Sequence, residues 1–363
     1  MKIAILHNFL DNIGGAEVVA LTLTREFKAD LYTTNVSAEK IKQMGFGEVL
    51  PRIKSIGWVP KNAPFRQQLT LWRFRRLNLG RQYDFYIIAG DWAMSGLVNH
   101  HPNLWYIFSP LNELWQFRNH VREDLLSWWQ RPIFDAWVRF NRWLTIRYAK
   151  SADQMVSISE NTRARVKKFY NQESEIIYPP TDISKYLNRP SENFWLSVNR
   201  LTRHKRIENQ MGAFAKMPDE RLVIVGSYEK GSRQFESYKK YLEKIKPANV
   251  EIINWATNEK LIDLYSRCKG FITTAKDEDF GMTPVEAMAS GKPVVAIDEG
   301  GYRETVTNGT GVLINNLEAE TIVEAVRKIN ENPTAYREAC LARAKIFSVA
   351  EFGSKIKRVI QKE

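Results

Sequence analysis

Short apolar, β-branched runs alternate with amphipathic stretches twice over along this chain. That alternation admits few folds, because it is the pattern of βα units feeding parallel sheets. In the first half the predicted strands are Ile3 to Leu6, Ala29 to Thr33, Phe85 to Ala89, Asn103 to Phe108 and Gln154 to Ile158, with a long helical tract, Arg118 to Tyr148, between the last two. Glu175 to Asp182 adds a strand that runs into Pro179-Pro180, where a helix cannot continue and backbone donors are missing. The second half is more regular, with strands expected at Phe194 to Val198, Leu222 to Val225, Val250 to Ile253, Phe271 to Thr273, Val294 to Ile297 and Val312 to Ile314. No short repeat of fixed period accompanies them, so the duplication is one of architecture. The expectation is an α/β protein of two facing Rossmann-like domains with parallel sheets, 1–178 and 179–345, and a C-terminal helix, 346–363, crossing back to the first. Ligands of such sheets bind beyond the carboxyl ends of the strands, hence in a deep cleft between the domains.

The length, 363 residues, suits two cores better than one. A composition 44% hydrophobic and 26% charged excludes a disordered or collagen-like chain. Cys268 and Cys340 are too few for a disulfide framework or a thiolate zinc site, which suits a reducing compartment. The N-terminal apolar run is too short for a secretory signal, and no stretch approaches roughly 18 uninterrupted apolar residues. Together these imply a cytoplasmic protein.

Net charge is +12, which points to an anionic partner. Residues 61–150 hold 13 Lys and Arg against 6 Asp and Glu, and nine of the eleven tryptophans precede residue 150. The first half is therefore basic and aromatic.

Three segments carry the chemistry. Lys276 to Pro293 contains Thr283, Pro284 and Glu286, which read as a capping box with proline at the first helical position, and Gly291 as the helix stop. The free N–H groups of that helix would receive a phosphate or a sugar hydroxyl. Glu286 then has either a capping or a binding role. Asp277 and Asp279 form a D-x-D pair, a weak metal signal with no further oxygen ligands to support it. Ser197 to Arg206 follows a strand, so Arg200 and Lys205 would converge on one diphosphate, the first as a planar fork and the second as a point charge, where an ordinary basic loop would simply be solvated. His7 to Glu17 joins the first strand to the first helix, and Gly14-Gly15 permit close backbone approach to a ligand or form a plain turn. This loop lacks the full G-x-G-x-x-G, so no dinucleotide cofactor is implied.

Gly14-Gly15-Ala16-Glu17, Val198-Asn199-Arg200 with Lys205, Glu278-Asp279-Phe280-Gly281 with Glu286, and Gly300-Gly301-Tyr302-Arg303-Glu304 together resemble the retaining glycosyltransferase family 4, of GT-B fold, over essentially the whole chain. The resemblance implies that Arg200 and Lys205 hold the donor diphosphate, Glu286 binds the ribose, and Glu278 binds the donor sugar or stabilises its oxocarbenium-like centre. It implies that Phe280, Gly281, Met282 and Thr283 line sugar and phosphate, that Gly14 and Gly15 face the diphosphate, and that the base lies near Gly226 and Trp255. No metal or other cofactor is implied. Many relatives carry a histidine after a first-domain strand, then an Arg and a Trp-Asp. Here Phe108 replaces the histidine, Asn112 the Arg and Gln116 the Asp. The acceptor side is then expected at Phe108, Asn112 and Glu113, and Glu113, His100 and His101 are the weak local candidates for a side-chain general base.

The donor implied is a nucleotide diphosphate sugar, GDP-mannose before UDP-glucose or another UDP-sugar, and the acceptor a hydroxyl of a glycan, lipid-linked in the leading reading. Arg66 to Leu77 and Trp128 to Phe140 mix cations and large apolar groups at helical spacing, which suits peripheral contact with an anionic membrane surface at the inner face of the cell membrane as well as ordinary core packing. Three rivals remain: a nucleic-acid-binding protein, for which no recognised module is present, a sugar-nucleotide epimerase or phosphorylase on the same fold, and a catalytically silent glycan binder.

Overall fold

The structure, a computed structural model, describes residues 1–62, 64–227 and 233–361. The chain forms two compact units, Met1–Pro179 together with the chain from Gly353 onward, and Pro180–Phe352.

In the first unit β1 (Ile3–Leu6), β2 (Asp30–Thr33), β3 (Ile53–Ser55), β4 (Phe85–Ile88), β5 (Asn103–Ile107), β6 (Gln154–Ser157) and β7 (Glu175–Ile176) make a parallel sheet of order β3-β2-β1-β4-β5-β6-β7. The central strands β1, β4 and β5 are buried throughout, because helices cover both faces of a parallel sheet. Ile5 stands opposite Leu31 on one side and Ile87 on the other. The helices are α1 (Gly15–Glu26), α2 (Ala38–Gln43), α3 (Phe65–Arg76), a single turn α4 (Arg118–His120), α5 (Arg131–Ala149) and α6 (Glu160–Tyr170). One core cluster gathers Leu71 and Phe74 of α3, Trp92, Trp105, Val138 of α5 and Tyr170 of α6.

Two expectations for this unit are corrected. The short edge strand β3, with one half-buried and two exposed residues, is too polar to signal itself as a buried run. The tract Arg118 to Tyr148 is not one helix: α4 and a π-helical turn (Val121–Leu125) give way to an irregular segment carrying Trp128 and Trp129, and α5 begins at Arg131. Pro132 explains the restart, since its ring clashes with the carbonyl four residues back while its missing N–H costs nothing in a first turn.

The second unit repeats the plan with β8 (Trp195–Arg200), β9 (Leu222–Ser227), β10 (Val250–Ile253), β11 (Gly270–Thr273), β12 (Val294–Ile297) and β13 (Gly311–Ile314), all parallel, in the order β10-β9-β8-β11-β12-β13. Its helices are α7 (Ile207–Ala215), α8 (Arg233–Ile245), α9 (Asn258–Arg267), α10 (Met282–Ala289), α11 (Tyr302–Thr305), α12 (Ala319–Glu331) and α13 (Arg337–Lys345). A last helix, α14 (Val349–Ile360), runs from this unit into the first. Strand order reverses between β1 and β4 and again between β8 and β11, which marks where a ligand crevice opens in each sheet.

Candidate active site

The loops leaving β8 and β11 meet at the second reversal point. Arg200 ends β8, and a 3-10 turn, Arg203–Lys205, leads to Arg206 in left-handed backbone before α7. The Lys276 N–H donates to the His204 carbonyl at 2.7 Å, and Thr274 Oγ1 donates to the Lys205 carbonyl at 2.8 Å, so the basic loop is stitched to the chain that follows β11. Lys205 Nζ donates to Glu278 Oε2 at 2.5 Å. Burial pushes the Glu278 carboxyl up, but the charges of Lys205, His204 and Arg200 outweigh it and hold the group ionised, below its ordinary value.

Gly281 starts α10 from a left-handed backbone at φ 92°, a conformation that glycine adopts without strain. A Cβ there would lie 2.7 Å from the Tyr302 ring. This corrects the expected capping box: α10 begins at Met282, Thr283 is its second residue, and no side chain caps it. Pro284 occupies the third position, where its missing N–H is still one of the four that a helix leaves unbonded. The remaining first-turn N–H groups and the positive end of the helix therefore stand beside the Lys205–Glu278 pair, an arrangement suited to a phosphate.

Glu286 lies one turn further along α10 and accepts from the Tyr265 hydroxyl at 2.7 Å. Burial pushes its carboxyl up to about 7, with hydrogen bonds from Tyr265 and Tyr186 pulling the other way. Its role is not capping but an acceptor held between two tyrosines.

Residues outside the expected set build the site's frame. Arg206 forks onto Glu299 at 3.0 and 2.8 Å, and Glu299 Oε2 also accepts the Asp277 N–H at 3.1 Å. The Gly301 N–H donates to the Glu278 carbonyl at 2.8 Å. Arg206 is concealed in the sequence within a run of like charges, and Glu299 is signalled only by preceding Gly300-Gly301. Tyr186 and Tyr265 give no sequence signal at all.

Gly226, near the end of β9, is paired with Asn199 of β8, and a Cβ on it would lie 2.6 Å from the Leu201 side chain. Trp255 is exposed on the loop after β10. Asp277 and Asp279 belong to no grouping of three His, Cys, Asp or Glu side chains disposed for a metal ion among the described residues.

The other expected residues lie in the first unit. Gly14 precedes α1 in extended backbone that any residue adopts, φ −170°, so its conformation does not demand glycine. Phe108 follows β5 and meets the Tyr106 ring edge-on, Asn112 Oδ1 accepts from Ser109 Oγ at 3.2 Å, and Glu113 has its carboxyl pushed up by burial beside the Trp92 indole. His100 is buried, bonded to the Gly96 carbonyl at 2.7 Å and accepting the Leu79 N–H, with its pKa lowered by burial; His101 pairs with Asp153 at 2.8 Å. Both histidines are committed to structure.

Residues 180–346 match the family described as glycosyl transferases group 1. The chain is 26% identical to alpha-1,3/1,6-mannosyltransferase ALG2 of Dictyostelium discoideum over 92% of this chain and 90% of that protein. It is 26% identical to the O-antigen chain mannosyltransferase RfbU of Salmonella typhimurium over 56% of this chain and 60% of that one, so it spans about three-fifths of that relative's length. Anabaena Alr3699/HepE, solved in complex with UDP and glucose, superposes with a TM-score of 0.77 at 17% identity, covering all of both chains. With the paired doubly wound sheets and the built site after β8 and β11, the match over residues 180–346 and these likenesses identify the chain as a glycosyltransferase of GT-B fold.

Proposed function

We propose that the protein is a retaining, metal-independent mannosyltransferase that moves mannose from GDP-mannose to a hydroxyl of a lipid-linked glycan, working in the cytoplasm against an anionic membrane surface. The observation that carries the chemistry is the Lys205–Glu278 pair beside the uncapped start of α10. Arg200, Lys205 and the α10 N–H groups take the diphosphate and offset the charge that builds on it as the anomeric C–O bond breaks. Glu278, held ionised, faces the sugar and stabilises the developing positive centre. The acceptor oxygen bonds to the anomeric carbon on the face that the phosphate leaves, and its proton passes to a phosphate oxygen, so the step needs neither a side-chain base nor a metal. Glu286 accepts the ribose hydroxyls, and Gly226 and Trp255 border the base. Mannose is supported by the names of the ALG2 and RfbU relatives. A UDP-glucose donor is the second reading, favoured by the UDP and glucose of HepE. The cationic, tryptophan-rich stretch 61–150 supports the membrane partner.

Thermal unfolding with GDP, UDP, ADP, CMP and dTDP, each with and without EDTA, tests this. A nucleotide at about 100 times its Kd stabilises the native state by about 2.7 kcal/mol. A rise with GDP that survives EDTA is the expected result, a rise with UDP alone moves the donor to the second reading, and no rise with any of them sinks the donor site. Arg200→Ala with Lys205→Ala should abolish the rise while the ligand-free midpoint stays within a few degrees. Unchanged nucleotide affinity would overturn the phosphate clamp.

A further inference from the structure

The tryptophans of the first unit part company. Trp92 and Trp105 are buried, whereas Trp72, Trp128, Trp129 and Trp143 are exposed, Trp128 to 80%. On α3, Phe65, Leu69, Trp72 and Arg76 fall at helical spacing on one stripe, and every one of them is exposed. On α5 the same holds for Ile133, Ala136, Phe140, Trp143 and Arg147. The two helices are neighbours, joined by Gln68 Nε2 donating to Asn141 Oδ1 at 2.8 Å. Leu125, Trp128 and Trp129 extend the apolar surface along the chain that leads into α5.

These stripes cannot fold inward, because the opposite sides of both helices are already used. Arg66 of α3 is buried in an ion pair with Asp11 and lies 3.6 Å from the Phe9 ring centroid, while Thr70, Leu71 and Phe74 fill the core. Val138, Asn141, Thr145 and Tyr148 do the same for α5. A run of large apolar side chains this extensive is more than a monomer ordinarily leaves in water. Its charge is one-sided. Arg76 stacks over Trp72 at 4.9 Å and Arg147 over Trp143 at 5.7 Å, with Arg75, Arg139 and Lys150 exposed on the same helices and their ends. Against these cations stand Glu123 and Asp124, exposed on the connection ahead of α5, and Asp135 of α5, which Arg118 and Arg122 engage.

We propose that the outer stripes of α3 and α5, with Leu125, Trp128 and Trp129, form the surface on which this protein rests on an anionic phospholipid bilayer. Tryptophan rings lie at headgroup depth, where one end of the indole is apolar and its N–H stays wet, and the arginines beside them meet lipid phosphates. This deepens the membrane partner of the reading above and rests on it, but the donor site plays no part in it.

The test is flotation of the full chain with vesicles of phosphatidylcholine alone and of phosphatidylcholine mixed with phosphatidylglycerol. The expected result is binding to the mixed vesicles only, weakened by salt, with a blue shift of tryptophan emission and quenching by brominated acyl chains. Trp128→Ser with Trp129→Ser should remove most of the quenching and weaken binding at least tenfold. Arg76→Glu with Arg147→Glu should do so through charge, since each cation near an anionic surface is worth about fivefold. Nucleotide-induced stabilisation should be unchanged in all four substitutions, which shows that the variants fold. Absence of flotation, flotation indifferent to both variant pairs, or a dimer in light scattering that the tryptophan substitutions dissolve would overturn the membrane surface. Loss of nucleotide binding in the unsubstituted protein would strike the transferase reading instead.

Discussion

Glu286 joins the site's chemistry to pH. Its carboxyl is pushed up to about 7 by burial, against an ordinary value of 4.5. The folded protein therefore holds this proton after the unfolded chain has released it. Stability from this group is present below about pH 4.5 and is lost as pH rises toward 7. A nucleotide whose ribose hydroxyls donate to Glu286 needs the carboxylate, so its affinity should rise as pH climbs through about 7. Calorimetric titration of the nucleoside diphosphate across that range checks this. Glu286→Gln should flatten the profile, and Tyr265→Phe, which removes the hydrogen bond that lowers the pKa, should move its midpoint upward. A wild-type profile already flat would separate Glu286 from the ribose. Lys205 makes the complementary case, because Glu278 stays ionised through it. Lys205→Ala should cost about 100-fold or more in turnover, the usual scale for removing one charge-stabilising donor, in a steady-state transfer assay. At this scale the residue types and their position after a strand suggest a diphosphate for Arg200 and Lys205, whereas Glu278 is pointed to only by the resemblance that Glu278-Asp279-Phe280-Gly281 carries. The sequence is silent on Tyr186 and Tyr265 and marks Glu299 only by its place before Gly300-Gly301, since a side chain that serves by touching another residue has no signature until the chain is folded.

Elements differ in how openly they announce themselves. The buried strands β1, β4, β5, β11 and β12 are legible because largely apolar runs leave them one environment, a parallel sheet covered on both faces. The start of α10 is misread because Thr283-Pro284-x-Glu286 satisfies a capping rule, while Gly281 in left-handed backbone starts the helix two residues sooner. What fixes that start is packing against the loop before α11. A Cβ on Gly300 would lie 2.4 Å from the Glu278 carbonyl oxygen, and one on Gly301 would lie 2.4 Å from Phe280 Cα. Both contacts are with backbone, which cannot swing aside. Gly300→Ala should displace the loop that holds Glu278 and weaken nucleotide binding sharply, with a stability loss of about 1–3 kcal/mol. Gly212→Ala is the control: nothing surrounds that position on α7, so exchange should stabilise by about 0.5–1 kcal/mol and leave binding intact. Denaturant unfolding alongside nucleotide titration separates the two. Equal behaviour of the pair would mean that the glycine loop does not set the site.

For the whole molecule, two windings of the same plan could be read from period and spacing, because each predicted strand is followed by a segment long enough to cross back over its sheet. The route of the C-terminus depends on burial instead. Along α14, Phe352 belongs to the second unit, while Ile356, Val359 and Ile360 are buried and belong to the first, where Lys355 also lies 6.0 Å from the Tyr178 ring. Fully burying one such aliphatic side chain is worth about 1.5–3 kcal/mol, so three of them supply on the order of 5 kcal/mol, a large part of what holds an ordinary domain folded. Ending the chain after Phe352 should therefore unfold the first unit at a lower temperature and leave the nucleotide-binding unit much as it was. Calorimetry with and without a bound nucleoside diphosphate tells the two apart, because only the transition of the unit that holds the ligand moves upward with it. The expected trace for the truncated chain has the ligand-insensitive transition shifted down and the ligand-sensitive one in place. If truncation instead lowers the transition that the nucleotide raises, the last turns of α14 stabilise the second unit, and its hydrophobic stripe serves the donor domain.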